Sequence, residues 1–379
     1  MPERSGAAAW KHRQIYAALE QAIRAGRWRP GERLPSEAEL VRQFGASRIT
    51  VGRAVRDLQL AGLVDRRAGS GTFVRREPAS RALSFGMLVP ELGETEIFEA
   101  IWRGIASSPL ARGHALLWGA TRDDAASKED RAWELCRQYV ERRVSGVFFA
   151  PLELVAGADS ANRRITAALD DARIPVVLLD RTAVPYPDRG HHDLVGLDNL
   201  RAGYVAAEHL LASGARRVAF AARPHAAATV AAREAGYREA LHARGLPLDP
   251  ALSWRLEPAD APDVARLLAA ARPDGIVCAN DWTAARMMRS LLALGVAVPR
   301  DVRLVGVDDV EYASLLPVPL TTVRQPARQI GAAALAAMLD RVAGAELPTR
   351  DILLHGTLVV RASSGASPAP AGPVTSPGA

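Results

Sequence analysis

Short apolar runs alternate with segments of helical spacing over most of this 379-residue chain, and this alternation restricts the folds that it can adopt. The apolar runs have the length of β-strands and cover residues 85–89, 115–118, 146–150, 176–179, 218–221, 275–279 and 304–307. Helical spacing of apolar residues follows most of these runs, at residues 97–105, 131–141, 202–211, 231–243 and 284–294. Because uninterrupted apolar strands must be covered on both faces, the pattern predicts parallel sheets flanked by helices, an α/β fold.

Polar side chains follow several of these predicted strands. Ligands of parallel sheets bind at the carboxyl ends of the strands, so these residues are expected to meet in one cleft. The polar residues at these strand ends are Asp180, Arg181, Asp198, Asn199, Arg233, Asn280, Asp281, Asp308, Asp309 and Gln325. Each hydroxyl both donates and accepts, so carboxylate, guanidinium and amide groups together suit a neutral ligand dense in hydroxyls. The aromatic residues that are candidates to cover such a ligand are Phe98, Trp118, Trp254 and Trp282.

Residues 34–58 predict two short helices joined by a tight turn. Ser36 is placed to cap the first helix, and Glu39 completes a capping box with it. Gly45 ends that helix and Ser47 is placed to cap the second. Apolar positions of the second helix turn inward, and the residues left on its other faces are Arg48, Thr50, Gly52, Arg53 and Arg56. This layout is typical of a helix-turn-helix DNA reader, with a solvated helical hairpin as the alternative.

The flanks of this segment extend the pattern. Upstream, apolar residues at helical spacing predict an amphipathic helix over residues 11–25 that closes at Gly26. Downstream, residues 63–64 and 72–74 are short strands that bracket a basic, glycine-containing turn at residues 65–71. Three helices followed by such a β-hairpin describe a winged helix-turn-helix domain.

Residues 11–74 resemble the N-terminal domain of GntR-family transcriptional regulators. The matching residues are Tyr16, 31–37 (GERLPSE), 47–51 (SRITV), Leu58, 62–64 (GLV) and 69–74 (GSGTFV). The resemblance implies that the second helix of the motif enters the major groove, and that the turn of the hairpin contacts the minor groove. The expected DNA-binding residues are Ser36, Glu37, Ser47, Arg48, Thr50, Arg53, Arg66, Arg67, Gly69, Ser70 and Gly71. Ala38 and Gly52 stand where many relatives carry basic residues, so the operator sequence is not predicted.

The remainder, from about residue 83 to residue 361, resembles the LacI-type effector domain, which is related to periplasmic sugar-binding proteins. The segments that carry this resemblance are 174–181 (IPVVLLDR), 195–199 (VGLDN) with Gly203, 233–237 (REAGY), 279–281 (AND), 305–309 (VGVDD) and 319–325 (PLTTVRQ). It implies a two-lobed, type I periplasmic-binding-protein-like domain in which an effector is hydrogen-bonded by six residues, Asp180, Arg181, Arg233, Asn280, Asp308 and Gln325. Asp198 and Asp309 recur in the family for structural reasons, with contact to the ligand as the alternative. The stretch after the first strand departs from the family, and Glu94 or Glu96 is a candidate to add a carboxylate there.

Charge separates the two parts of the chain. Residues 1–76 contain 15 Lys and Arg against 7 Asp and Glu, which leaves 33 basic and 35 acidic residues for the rest. The excess positive charge therefore lies on the small domain, as a phosphate-binding surface requires. The expected organisation is a DNA-binding domain over 8–76, a linker over 77–83, an effector and dimerisation domain over 84–362, and a disordered tail over 363–379.

Other classes of protein are less well supported by the residues. A lysine-dependent enzyme would have to use Lys128, the only lysine outside the small domain, and no catalytic residue or cofactor is predicted. His191 and His192 lack a third ligand at motif spacing, so no metal site is expected. Cys136 and Cys278 are read as reduced thiols of a cytoplasmic protein, and neither a signal peptide nor a membrane span is apparent.

These observations predict a dimeric transcriptional regulator, most simply a repressor. It would bind a palindromic double-stranded DNA operator and respond to a small sugar-like effector. A nucleobase or nucleoside as effector is the alternative that the residues leave open.

Overall fold

The computed structural model describes residues 3–28, 31–60, 63–67, 70–74, 82–89, 96–119, 127–344 and 346–365. The chain divides into two compact units, Met1–Arg81 and Ala82–Ala379. Each unit is described by itself. None of the helices within the described ranges is long and apolar enough to span a membrane.

The first unit is a three-helix domain with a β-hairpin. Its elements are α1 (Glu3–Arg24), α2 (Glu37–Phe44), α3 (Arg48–Leu60), β1 (Val64–Arg67) and β2 (Gly71–Val74). Its core joins apolar residues of all three helices and the hairpin, among them Ile15, Leu19, Leu40, Val51, Leu58 and Val64. The helix-turn-helix and the hairpin lie where the sequence predicts them, although α1 begins at Glu3 rather than at residue 11.

The predicted caps define the ends of α2. The hydroxyl of Ser36 accepts from the N–H of Glu39 at 3.3 Å, and the Glu39 carboxylate accepts from the N–H of Ser36 at 2.7 Å. Gly45 ends the helix in the left-handed region at φ 55°. Gly45 takes this conformation without strain because it has no Cβ. The turn between α2 and α3 is therefore fixed by local chemistry.

The second unit contains two six-stranded sheets with the same strand order. The elements of the first lobe are β3 (Ser84–Leu88), α4 (Ile97–Ser107), β4 (Ala115–Trp118), α5 (Lys128–Glu141), β5 (Gly146–Phe149), α6 (Ala158–Asp171), β6 (Val176–Leu179), β7 (Asp193–Leu197), α11 (Ala327–Val342) and β13 (Asp351–Leu354). The strand order is β4-β3-β5-β6-β7-β13, and every neighbouring pair is parallel.

The second lobe repeats this order. Its elements are α7 (Asn199–Ala212), β8 (Val218–Ala222), α8 (Ala228–Ala243), β9 (Ser253–Arg255), α9 (Ala261–Ala271), β10 (Gly275–Cys278), α10 (Asp281–Ala293), β11 (Arg303–Asp308), β12 (Thr321–Arg324) and β14 (Thr357–Val359). The order is β9-β8-β10-β11-β12-β14, with only β14 antiparallel to its neighbour. Separate apolar cores lie on the two faces of each sheet. The predicted fold class, parallel sheets covered by helices in a two-lobed domain, is confirmed.

The chain passes between the lobes at three points of its described part: from β7 to α7, from β12 to α11 and from β13 to β14. The predicted ligand-binding residues lie near two of these crossings, because Asp180 follows the strand beside β7 and Gln325 follows β12. Movement of one lobe against the other therefore involves the same segments that carry the polar residues.

The predicted start of a disordered tail at residue 363 is wrong. Ser363 and Ser364 are completely buried. The hydroxyl of Ser363 donates to the carbonyl of Leu304 at 2.7 Å and accepts from the N–H of Thr321 at 2.8 Å. Composition alone could not reveal these bonds between a serine pair and two buried strands. Residues 366–379 of the predicted tail, and residues 77–81 of the predicted linker, lie outside the described residues.

Candidate functional site

Helix α3 presents a basic face to solvent. Val51, Ala54, Val55 and Leu58 anchor the helix by burial, which turns its opposite side outward. The Arg48 side chain is 85% exposed. Ser47 and Arg53 are exposed, and Thr50 is half-buried. The Ser47 hydroxyl accepts from the N–H of Thr50 at 3.2 Å and caps the helix. Helix N-termini of this kind approach DNA bases and phosphates readily.

Glu37 connects the reading helix with the hairpin. Its carboxylate forms an ion pair with Arg66 of β1 and lies 3.8 Å from Nε of Arg48. A carboxylate cannot donate to a phosphate, and the contacts seen here place that of Glu37 beside two arginines. Of the other predicted DNA-binding residues, Ser36 is occupied as a helix cap, Ser70 is exposed and Gly71 has φ 116°. Gly69 and the side chain of Arg67 lie outside the described residues.

Asp180 and Arg181 end strand β6 and are almost completely buried. Asp180 has φ 67°, a conformation that non-glycine residues adopt rarely and that clusters at functional sites. Arg181 forms an ion pair with Glu153, and its Nε lies 3.2 Å from Oδ2 of Asp180. Burial raises the pKa of Asp180 against the opposing effect of this arginine. Burial also acts to raise the pKa of Glu153, but Arg181 outweighs it and the net pKa is lowered.

Arg233 is held rigidly in the second lobe. Its Nε donates to Oδ1 of Asn199 at 2.7 Å, and its Nη1 donates to the carbonyl of Ala279 at 2.6 Å. Helices α7 and α8 meet so closely that a Cβ at Gly203 would lie 1.8 Å from the carbonyl oxygen of Arg233. Helix α8 begins at Ala228, before the helical spacing that the sequence shows from residue 231. The side chain of Arg233 reaches the strand ends from the second turn of the helix.

Asp308 and Gln325 end strands β11 and β12. Nε2 of Gln325 donates to Oδ1 of Asp308 at 2.7 Å, and Asp308 has φ 129°. Burial raises the pKa of Asp308 to about 7, with the carboxylate of Asp281 acting in the same direction and Arg233 opposing it. The Asp308 carboxyl therefore gains or loses a proton near neutral pH.

These side chains form one electrostatic group. The positive charge of Arg233 acts to lower the pKa of Asp180 and of Asp308, against the burial that raises both. The negative charge of Asp308 acts to raise the pKa of Arg181. Oδ1 of Asp180 and Oε1 of Gln325 are buried with no hydrogen-bond partner among the described residues. Buried acceptors are almost always satisfied in native proteins, so the two oxygens indicate a missing donor. Two cavities of about 420 and 410 Å³ adjoin the group, lined by Asp308 and Gln325 in one and by Arg181 in the other.

The remaining predicted residues have structural contacts. Oδ1 of Asn280 accepts from the N–H of Thr283 at 2.9 Å and caps α10, which leaves its role toward a ligand as a prediction. Asp198 caps α7, and Asp309 pairs with Arg324 at 2.6 Å, as expected of structural residues. Of the aromatic candidates, Phe98 lies beside the site, with its ring centroid 5.5 Å from the guanidinium carbon of Arg181. Trp254 is buried in the core of the second lobe, Trp118 packs against Trp102, and Trp282 lies between Arg223 and Arg286.

The two lobes are in direct contact around the group. The N–H of Ala227 donates to the Glu153 carboxylate at 3.1 Å, and the N–H of Leu154 donates to the carbonyl of His225 at 2.8 Å. On the other side, the N–H of Glu311 donates to Glu96 at 3.0 Å. Glu96 therefore contributes a contact between the lobes, and Glu94 lies outside the described residues.

Glu153 and Ile49 are absent from the sequence prediction. Glu153 lies four residues beyond the end of β5, whereas Asp180 follows β6 directly, so strand-end reasoning did not single it out. Asn199 is among the polar residues at the predicted strand ends, but its contact with Arg233 was not predicted. Ile49, in the first turn of α3, is 85% exposed and therefore belongs to the surface of the reading helix. Ile49 was not predicted to be a surface residue, because an apolar residue inside a helical pattern is normally assigned to the core.

A winged helix-turn-helix with an exposed basic helix and a two-lobed domain with a buried polar cluster together define a DNA-binding transcriptional regulator with a small-molecule effector domain. Comparison with known families agrees: residues 11–74 match the bacterial regulatory proteins of the gntR family, and residues 207–364 match the periplasmic binding protein-like domain. The chain is therefore a transcriptional regulator that joins a GntR-type DNA-binding domain to a periplasmic binding protein-like domain.

Known proteins are similar to this chain over 74–93% of its length. The arabinose metabolism transcriptional repressor of Geobacillus stearothermophilus is 26% identical over 370 residues, covering 93% of this chain and 97% of the relative. The HTH-type transcriptional repressor PurR of Aliivibrio salmonicida is 25% identical over 287 residues, covering 74% of this chain and 81% of PurR. The solved structure of the transcription regulator GntR from Chromobacterium violaceum is 28% identical with a TM-score of 0.58, covering 75% of this chain and all of that one (100%).

Proposed function

We propose that this protein is a homodimeric repressor that loses operator affinity when a sugar-like ligand binds between the lobes of its effector domain. The observation that carries the proposal is the pair of buried acceptors without partners, Oδ1 of Asp180 and Oε1 of Gln325, in the same electrostatic group as Arg233. The proposed effector-binding residues are Asp180, Arg181, Arg233, Asn280, Asp308 and Gln325.

The chemistry of the group favours hydroxyls over a charged ligand. Carboxylates of Asp180 and Asp308 accept hydrogen bonds, guanidinium groups donate them, and the Gln325 amide does both. A sugar hydroxyl satisfies an orphan acceptor with its proton and a guanidinium with its lone pair. The adjoining cavities fall within the roughly 300–1,000 Å³ typical of small-ligand sites. The name of the relative from Geobacillus stearothermophilus, a repressor of arabinose metabolism, supports the same class of ligand.

The DNA-binding domain supplies the second half of the function. Arg48 and Thr50 are proposed to read base edges in the major groove, and the hairpin turn is proposed to enter the minor groove. The other proposed DNA-binding residues are Ser36, Glu37, Ser47, Arg53, Arg66, Arg67, Gly69, Ser70 and Gly71. A dimer would place two such domains about one helical turn apart on a palindromic operator, and it would act in the cytoplasm, where the DNA is.

The lobes provide the coupling between the two functions. A ligand that bridges Asp180 of one lobe and Asp308 of the other stabilises the arrangement in which Glu96 and Glu153 accept N–H groups across the cleft. The ligand must bind this arrangement more tightly than an open one, and couplings of this kind are typically about 1–3 kcal/mol. A difference of that size reduces operator affinity by roughly five- to 150-fold.

A thermal-shift screen of the full chain against pentoses, hexoses, sugar phosphates and nucleosides tests the proposal. A ligand at about 100 times its dissociation constant adds about 2.7 kcal/mol to the free energy of unfolding, which a melting curve resolves. We expect a free sugar to raise the melting temperature and to release the protein from a selected operator. Asp180→Asn should lose both effects, whereas Arg48→Ala should keep the thermal shift. Stabilisation by nucleosides alone would transfer the proposal to a nucleoside-responsive regulator.

A further inference from the structure

Two adjacent histidines converge on one carboxylate at the edge of the first lobe. Nε2 of His191 lies 2.9 Å from Oδ2 of Asp170, and Nε2 of His192 lies 3.0 Å from Oδ1. The two imidazole rings have centroids 4.1 Å apart and planes inclined by 36°. The three potential ligand atoms all lie within 4.8 Å of one another. The backbone bends at His191 and His192, and this bend allows two neighbouring side chains to converge on Asp170.

The cluster is separate from the effector site. The histidines immediately precede β7, so they lie at the amino end of that strand, while Asp180 and Gln325 lie at the carboxyl ends of theirs. Asp170 stands in the last turn of α6, which returns the chain to the amino end of β6. The fold thereby supplies a ligand that lies 21 residues away in sequence, which motif spacing could not reveal.

Hydrogen bonds hold the backbone of both histidines. Nη2 of Arg189 donates to the carbonyl of His192 at 3.0 Å, and the hydroxyl of Thr349 donates to the carbonyl of His191 at 3.0 Å. The side chain of His192 is only 8% exposed, while that of His191 is 74% exposed. One imidazole is therefore fixed by packing, and the other is open to an incoming ion.

The spacing of the ligand atoms fits a small divalent ion. Zinc binds histidine nitrogen and carboxylate oxygen at roughly 2.0–2.2 Å in a tetrahedral arrangement, which separates adjacent ligand atoms by roughly 3.3 Å. The two N···O distances here are a few tenths of an ångström shorter. Binding would replace the hydrogen bonds between the imidazoles and the two carboxylate oxygens by bonds to the ion.

We propose that Asp170, His191 and His192 form a binding site for a divalent transition-metal ion of the Zn²⁺ type, with water in the remaining position. Two imidazoles favour such an ion over Mg²⁺ or Ca²⁺, which prefer oxygen ligands. The ion would tie the carboxyl end of α6 to the loop that leads into β7. Because it binds the folded lobe and finds no preformed site in the unfolded chain, it would stabilise the first lobe.

The test uses the full chain with any histidine tag removed. Calorimetric titration with Zn²⁺ should show a single binding event per chain, a Co²⁺ titration should give visible bands of a nitrogen-ligated ion, and Zn²⁺ should raise the melting temperature. His191→Ala and Asp170→Asn should each reduce Zn²⁺ affinity at least tenfold and remove the melting shift. His191 is exposed, so loss of folding does not complicate its variant.

The matched control is His355→Ala. His355 is also exposed and lies 3.8 Å from Asp198, but this pair has no second histidine beside it. The control should bind Zn²⁺ as the unmodified protein does. Absence of Zn²⁺ binding by the unmodified chain, or binding that His191→Ala and Asp170→Asn leave unchanged, would overturn the proposal.

Discussion

The two functional regions of this protein are built in opposite ways. The DNA-binding surface takes its residues from a short stretch of sequence, and the Arg48 side chain remains 85% exposed. The effector site takes its residues from Glu153 to Gln325, and Asp180, Arg181 and Arg233 are each 5% exposed or less. DNA brings its own negative charge to solvated arginines, so that surface needs little preparation. A small neutral ligand must be enclosed, so its site has to pair buried charges before the ligand arrives.

Backbone conformation shows the same contrast. Among the described residues of the DNA-binding domain, positive φ values occur only at glycines. In the effector domain Asp180, Asp308 and Asp309 have φ values of 67°, 129° and 57°. Each such residue costs of order 1–3 kcal/mol and persists only where the surroundings enforce it. The effector site is therefore held in place by the packing of both lobes, while the DNA-binding surface depends on helix caps and a hairpin.

The comparison predicts that the largest effect comes from the buried arginine of the effector site. Arg233→Ala removes the cation that faces both Asp180 and Asp308, and it should lower the free energy of unfolding by about 3–5 kcal/mol. It should also abolish the response to the effector, whereas operator binding should persist below the melting temperature. Chemical denaturation and an operator-binding assay measure these effects. Arg238→Ala is the control, because Arg238 lies on the same helix but is 55% exposed. Equal destabilisation by both variants would contradict the assignment.

A smaller effect, confined to DNA binding, is expected for the exposed arginine. Arg48→Ala should weaken operator binding by about 1–3 kcal/mol, roughly five- to 150-fold, if this side chain reads a base edge. The melting temperature should not change, because the side chain is solvated. Arg103→Ala, at another exposed position in the effector domain, controls for the loss of one positive charge. Unchanged operator affinity in Arg48→Ala would show that another helix face reads the DNA.

The strands were predictable from the sequence where burial on both faces gives an uninterrupted run of apolar residues. Strands β5 and β6 are interior strands of the first-lobe sheet, and β10 is an interior strand of the second-lobe sheet. Their apolar runs predicted each of them to within one residue. Strand β13 was not predicted, because it lies at a sheet edge and its residues are alternately exposed and partly buried. An edge strand lacks the two-sided burial that makes a run apolar.

The sites were predictable to different degrees for a related reason. Strand-end reasoning finds Asp180 and Asp308, because the carboxyl ends of parallel strands meet at one edge. The partners that make the site work, Glu153 for Arg181 and Asn199 for Arg233, depend on side-chain contacts across 28 and 34 residues, and no local pattern encodes them. The capping box at Ser36 needed only local information, and the structure confirms it atom by atom.

The effector site should also differ from the DNA-binding surface in its response to pH. Burial raises the pKa of Asp308 to about 7, so the folded state keeps a proton that the unfolded chain releases near pH 4. The contribution of this protonated carboxyl to the free energy of unfolding is fully present below about pH 4, and it is lost as the pH rises toward 7. Asp308→Asn carries no such proton. Its free energy of unfolding, relative to the unmodified protein, should rise by roughly 1–3 kcal/mol between about pH 5 and pH 8. A difference that does not vary with pH would place the Asp308 pKa in its ordinary range.

The smallest expected effect qualifies the contrast itself, because the DNA-binding surface is not wholly polar. Ile49 is 85% exposed beside Arg48, and an isoleucine in that position is suited to contact the methyl group of a thymine. Burial of one methyl group contributes about 0.8 kcal/mol, roughly a fourfold change in affinity. Replacing each thymine of a selected operator by uracil should therefore weaken binding about fourfold at one position. In Ile49→Ala that position should become insensitive to the replacement, while the others respond as before. If both proteins lose the same affinity at every position, Ile49 does not read the operator, and sequence selection rests on the polar side chains of α3 alone.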